Sequence, residues 1–251
     1  MALMNIKFFS EVLGRNTDVN VIIPQKRTNG EIGQKTCEPV QKYKTLLLLH
    51  GLSDDNTIWQ RRTSIERYAI ERNLAVIMPN ADRSYYTDMK YGDKYYTFIS
   101  SEVLSVVRQF LPLSTLREDN FIAGNSMGGY GALKIALRNP DKFCKCGAFS
   151  PAVSIFSSRE RYPEIINNIF RGDIPPEDDV LDLLKKASLK KIKPEIFVTI
   201  GDGDFLCEEN VAFNEMAKEH KYPIKFEVGQ GVHDWKYWDK KAESVLDWML
   251  K

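Results

Sequence analysis

Short apolar runs and stretches of helical spacing take turns along most of this chain. Residues 45–50, 74–78, 121–123, 146–149, 195–200 and 224–228 are apolar runs of strand length, several of them rich in Val, Ile and Phe. Between them the spacing changes. Ile99, Val103, Val106, Val107 and Phe110 fall on one face of a helix, and Trp238, Ala242, Val245, Leu246 and Met249 repeat that stripe near the C-terminus. Strand and helix in alternation require crossover connections, so the pattern predicts an α/β fold: a mostly parallel sheet with helices on both faces. The beginning of the chain breaks the rule. Residues 7–12 and 18–23 flank Gly14-Arg15-Asn16-Thr17, which predicts an antiparallel hairpin at the sheet edge.

Two segments stand apart from the alternation. Six of the fourteen residues from 85 to 98 are aromatic, against 11% for the chain, a density that suits either a pocket wall or packing under a long loop. Residues 154–193 carry mixed charge between two predicted strands, with helical pieces broken at Pro163 and Pro175-Pro176. Such an insertion is either a cap over a site or a long crossover with a solvated face.

Composition narrows the class of partner. The 35 basic and 34 acidic residues leave a formal charge of +1, which argues against a strongly basic nucleic-acid binder. With 43% hydrophobic and 27% charged residues over 251 positions, one large globular domain spanning 1–251 is expected. The longest wholly apolar run, Leu46 to Leu49, is far too short to cross a membrane. No basic stretch followed by an apolar one opens the chain, so no signal peptide is expected and the cytoplasm is the default location. Cys37, Cys144, Cys146 and Cys207 lack metal-ligand spacing; a strand through Cys144 and Cys146 would turn both to one face, as plain buried thiols. Neither a metal nor another cofactor is expected.

The strongest chemical signal is Gly124-Asn125-Ser126-Met127-Gly128, a G-x-S-x-G motif between an apolar run and the helix-like stretch 130–138. A nucleophilic serine needs a sharp strand-to-helix turn, so that its hydroxyl stands clear of the sheet and the helix N-terminus faces the developing oxyanion. A phosphate-binding loop is excluded, because Tyr130 and Gly131 follow Gly129 where Lys and Ser/Thr would be required. Of the three histidines, His220 lies at a polar helix end and His50 closes an early strand. His233, in a glycine-flanked loop after the last predicted strand, is the expected general base and acid. The acid that orients it lies in Gly201-Asp202-Gly203-Asp204, where the local sequence leaves Asp202 and Asp204 equal. Serine, then acid, then histidine is the chain order of α/β-hydrolases. His50-Gly51-Leu52 follows an early strand, where that fold draws its second oxyanion donor, so the backbone N–H groups of Leu52 and Met127 form the expected oxyanion hole.

These motifs, with Val76-Ile77-Met78-Pro79-Asn80-Ala81, Arg83-Ser84-Tyr85-Tyr86-Thr87, Arg138-Asn139-Pro140-Asp141, Asp204-Phe205-Leu206 and His233-Asp234-Trp235, resemble the esterase-D-like esterases over most of the chain. The detail is most similar to small bacterial tributyrin-type esterases, in a group that also holds feruloyl and acetyl-xylan esterases, S-formylglutathione hydrolases and mycolyltransferases. The resemblance implies an α/β-hydrolase fold and places the acid before Phe-Leu, which selects Asp204. It implies a serine carboxylesterase on short acyl or aryl esters, a small-molecule substrate and a homo-oligomer. S-formylglutathione hydrolysis, and a non-catalytic carbohydrate-binding relative, are the alternatives. Trp59, Tyr85, Tyr86 and Trp235 are the expected substrate-binding aromatics, whether they stack on an aryl or sugar ring or pack the walls of the site. Asn125 beside the serine and Ser53-Asp54-Asp55 after Leu52 depart from the family pattern at the pocket mouth.

Overall fold

Leu46–Leu49 has no polar position because both faces of its strand are covered. In the computed structural model, which describes residues 1–25 and 40–251, Leu47 and Leu49 enter one hydrophobic core while Leu46 and Leu48 enter a second across the sheet. Among the described residues eight strands form the sheet: β1 (Ala2–Ser10), β2 (Arg15–Ile23), β3 (Lys44–Leu49), β4 (Leu74–Pro79), β5 (Asn120–Asn125), β6 (Lys145–Phe149), β7 (Glu195–Gly201) and β8 (Ile224–Gly229). They lie in the order β1-β2-β4-β3-β5-β6-β7-β8. From β4 to β8 every neighbouring pair is parallel, whereas β1 pairs antiparallel with β2 and β2 with β4. Strand β4, buried at every position, reads as a continuous apolar run, while edge strand β1 alternates, turning Ala2, Met4, Ile6 and Phe8 inward.

The helices described alongside the sheet are α1 (Ile58–Arg62), α2 (Ile65–Glu71), α3 (Tyr95–Thr97), α4 (Val103–Phe110), α5 (Met127–Arg138), α6 (Ile155–Arg161), α7 (Pro163–Phe170), α8 (Val180–Ser188), α9 (Cys207–Glu219) and α10 (Trp235–Met249). A π-helical turn, Phe98–Glu102, joins α3 to α4. Residues of α2 and α10 pack into one core and residues of α4, α5, α8 and α9 into the other, so the sheet is covered on both faces. The α10 stripe of Trp238, Ala242, Val245, Leu246 and Met249 is buried throughout. The α4 stripe is buried at Ile99, Val103 and Val107 and ends at Phe110, which projects into solvent on the last turn.

Three expectations change in detail. The hairpin strands are longer than the sequence pattern predicts and the turn comes earlier, at residues 11–14, with Arg15, Asn16 and Thr17 already paired to Ser10, Phe9 and Phe8. The Glu102 carboxylate accepts the Glu11 N–H at 2.7 Å, and Gly14, at φ +65°, closes the turn. Cys144 and Cys146 do not share a face. Cys144 precedes β6 and packs against one core, with its thiol toward the Glu118 and Asn120 carbonyls, while Cys146 is buried in the other core. Cys37 lies outside the described residues. The segment 154–193 folds as α6, α7 and α8, and all three helices place side chains in the core: Ile155 of α6, Ile166 and Ile169 of α7, and Val180, Leu183, Leu184 and Ala187 of α8.

Candidate active site

Ser126 stands between the last residue of β5 and the first of α5, at φ 54° and ψ −117°. A non-glycine residue rarely holds such a backbone, and here the close approach of neighbouring elements holds it. A Cβ on Gly124 would lie 2.4 Å from the Gly128 carbonyl oxygen, and one on Gly128 would lie 2.5 Å from that of Leu49 and 2.6 Å from that of His50. The two glycines let the start of α5 press against the end of β3. That contact sets the Leu52 loop beside the N-terminus of the helix.

The Ser126 hydroxyl lies 3.0 Å from His233 Nε2, and His233 Nδ1 lies 2.9 and 3.0 Å from the two oxygens of Asp204. A carboxylate only accepts, so Nδ1 carries the proton and Nε2 is free to accept from the serine hydroxyl. Burial by itself raises the Asp204 carboxyl. Hydrogen bonds from His233, the Leu206 N–H and the Ser150 hydroxyl outweigh it and hold the group below its ordinary value. The second acid acts on the backbone instead. Asp202 accepts the Gly231 N–H at 3.0 Å and thereby ties the loop that carries His233. Asp234, the next residue, caps α10 by accepting the Tyr237 N–H.

The serine opens into a cavity of about 750 Å³. Leu52 lines it, and the N–H of Met127, in the first turn of α5, has no intrahelical acceptor. Of the four aromatic residues expected at the substrate site, Tyr85 and Trp235 line this cavity. Trp59 and Tyr86 do not. The Trp59 indole donates to the Leu49 carbonyl and packs edge-on against Trp235, so it supports the wall from behind. Tyr86 is fully buried and donates its hydroxyl to the His50 carbonyl. His50 itself accepts the Ala81 N–H at Nε2 and donates from Nδ1 to the Gly51 carbonyl. Burial keeps it neutral, a structural link between the ends of β3 and β4. His220 is exposed at the end of α9.

Several lining residues were given no role at the site by the sequence, although Arg83 and Phe205 stand in the motifs that carry the resemblance. Ser158, Arg161 and Tyr162 come from α6 and the residue after it, Arg83 from the β4–α3 loop, and Phe205 from the loop after Asp204. Of the residues that depart from the family pattern, Asn125, Ser53 and Asp54 also line the cavity, where burial pushes the Asp54 carboxyl up. Among the described residues no cluster of three His, Cys, Asp or Glu side chains is placed to hold a metal ion, and no helix is long and apolar enough to cross a membrane.

Comparison with known proteins gives the family. The family model described as "Putative esterase" matches residues 10–246. An acetyl esterase from Caldicellulosiruptor saccharolyticus is 30% identical, over 100% of this chain and 99% of its own length. Two solved structures from Staphylococcus aureus are each 38% identical over the whole of this chain. The fluorophosphonate-binding serine hydrolase FphF has a TM-score of 0.90 with 98% of its chain covered, and the S-formylglutathione hydrolase FrmB a TM-score of 0.87 with 99% covered. The strained serine at a strand-to-helix turn thus sits in an α/β-hydrolase fold, and this chain belongs to the esterase family, a carboxylic ester hydrolase.

Proposed function

We propose that this protein is a serine carboxylesterase of tributyrin type, acting on short-chain acyl or aryl esters through Ser126, His233 and Asp204. The unbroken hydrogen-bonded line from the Ser126 hydroxyl through His233 to Asp204, opening into the cavity, carries the reading. His233 Nε2 takes the hydroxyl proton as Ser126 attacks the ester carbonyl, and Asp204 steadies the imidazolium. The N–H groups of Leu52 and Met127 receive the oxyanion. His233 then protonates the leaving alcohol, and water cleaves the acyl-enzyme by the same route. The placement of Ser158, Arg161 and Tyr162 supports a role for α6 as a partial cap. The free thiols Cys144, Cys146 and Cys207 suit a reducing, cytoplasmic setting.

Thioester hydrolysis on S-formylglutathione is the second reading. It rests on the likeness to the S. aureus protein of that name and on Arg83 and Arg161, whose guanidinium groups can meet carboxylates on a peptide-like leaving group. Parallel kinetics on p-nitrophenyl esters from acetyl to decanoyl, methyl ferulate, acetylated xylan and S-formylglutathione separate the two. For either reading, Ser126→Ala lowers kcat by about a million-fold and abolishes labelling by a fluorophosphonate probe. Turnover retained in that variant would sink the assignment.

A further inference from the structure

Phe205 follows the acid directly, yet the core takes the next side chain instead. Leu206 is buried, whereas Phe205 is 57% exposed. Its backbone has little freedom to turn the ring elsewhere: Asp204 Oδ1 accepts the Leu206 N–H, and the Asp204 carbonyl accepts the Cys207 N–H. Held there, the ring meets two groups. Its centroid lies 4.5 Å from that of the His233 imidazole, and the Arg161 guanidinium lies 5.2 Å from the ring centroid. Arg161 is itself anchored by Glu209 of α9 at 3.3 Å. The imidazole also packs edge-on with Trp238 at 4.9 Å, so two aromatic rings and one carboxylate define its orientation.

We infer that Phe205 is a positioning residue for the catalytic imidazole, with Arg161 of α6 fixing the ring. The inference rests on the assignment of His233 as the base. An aromatic ring tilted against an imidazole at 4.5 Å attracts its cation more than its neutral form, because the π-electrons meet a charge that exists only after Ser126 gives up its proton. The ring therefore favours the state in which the serine is attacking, and contributes to kcat rather than to ground-state binding. The Arg161–Glu209 pair balances charge at this edge of the cavity, so the guanidinium presses on Phe205 without leaving a lone cation beside the imidazolium. By this route α6 does more than line the cavity: it reaches the base through one ring.

The test compares Phe205→Leu, Phe205→Tyr, Arg161→Gln and the Phe205→Leu/Arg161→Gln double variant on p-nitrophenyl acetate, a substrate too small to depend on the outer wall. Phe205 is exposed, so thermal melting should show all four folded, and fluorophosphonate labelling of Ser126 should persist in each. Phe205→Leu is expected to lower kcat about two- to fivefold with KM nearly unchanged, and Phe205→Tyr to restore it. Arg161→Gln should give a smaller loss in the same direction, absent when Phe205 is already Leu. Equal kcat in the Leu and wild-type proteins, a failure of Tyr to rescue, or a loss confined to KM would overturn the inference and leave Phe205 as wall alone. Fluorophosphonate labelling that survives undiminished in His233→Ala would instead count against the assignment of the base.

Discussion

Asp204 joins the proposed catalytic line to the stability of the fold. Its side chain is completely excluded from solvent, and it receives hydrogen bonds from His233 and from the Leu206 N–H. Asp204→Asn keeps the shape but gives His233 Nδ1 a partner that can donate, so the imidazole is no longer held with its proton on Nδ1. The expected loss in kcat is about ten-thousand-fold, as in other Ser-His-Asp sites. The same residue sets part of the acid limit. Its carboxyl lies below its ordinary value in the folded protein, against about 3.9 in the unfolded chain. Its contribution is therefore complete above about pH 4 and disappears as the pH falls through the lower folded value. Thermal melts below about pH 4 should show wild type losing stability more steeply than Asp204→Asn; parallel curves would contradict that linkage.

Between residue and molecule lies the bolt behind α5. Lys134 is buried on the helix that begins at Met127, and its ammonium donates to Asp178 at 3.0 Å, Thr87 Oγ1 at 2.7 Å and the Tyr85 carbonyl at 3.2 Å. Tyr130, one turn earlier, packs edge-on against the Tyr85 ring. Burial pushes the Lys134 ammonium down to about 8, although Asp178 opposes the shift. Three elements meet there: the serine helix, the Tyr85 wall and the segment that leads into α8. Lys134→Met leaves Asp178 buried with Arg138 at 3.7 Å as its remaining cation. Urea denaturation should show a loss of about 3 kcal/mol, at the low end for a broken buried pair because Arg138 remains. Replacing Asp178 by Leu in the same chain should recover much of it. A single Lys134→Met variant as stable as wild type would show that the pair contributes nothing.

At the scale of the whole molecule, the parallel strands deliver Ser126, Asp204 and His233 to one edge from the ends of β5, β7 and β8. Crossover connections make this unavoidable, since in a parallel sheet all such loops emerge on the same side. The hairpin β1–β2 extends the sheet at the far edge from these loops. The formal charge of +1 gives no long-range field to steer a substrate, and a simple ester carries none to be steered. Accordingly, kcat/KM for p-nitrophenyl acetate should vary by less than about twofold as salt rises from about 0.01 to 1 M, over which the Debye length shrinks from about 30 to 3 Å. A steep decline would point to a charged surface acting at a distance.

The architecture and the serine at the strand-to-helix turn were legible in the linear order because both depend on local rules. A strand covered on both faces has no polar position, as in Leu46–Leu49, and a serine on a sharp turn needs glycines at the close approaches, as at Gly124 and Gly128. The order of serine, acid and histidine follows from successive crossovers. Other features have no local mark. Trp59 and Tyr86 look the same in sequence as Tyr85 and Trp235, yet hydrogen bonds to the Leu49 and His50 carbonyls draw the first two behind the wall. Asp202 and Asp204 differ only in what faces them, the Gly231 N–H for one and His233 for the other. Lys134 reads as an ordinary helical lysine until Asp178, 44 residues later, folds over it. The alternation of apolar runs, the elbow glycines and the chain order were thus determined by sequence alone, because each is a constraint between near neighbours or on the path of the chain. Which aromatics meet the cavity and which cation is buried were decided only in three dimensions, where contacts between distant segments set the cost of each placement; the acid, left open by the local sequence, was selected by family resemblance, and its contact with the histidine appears only in the fold.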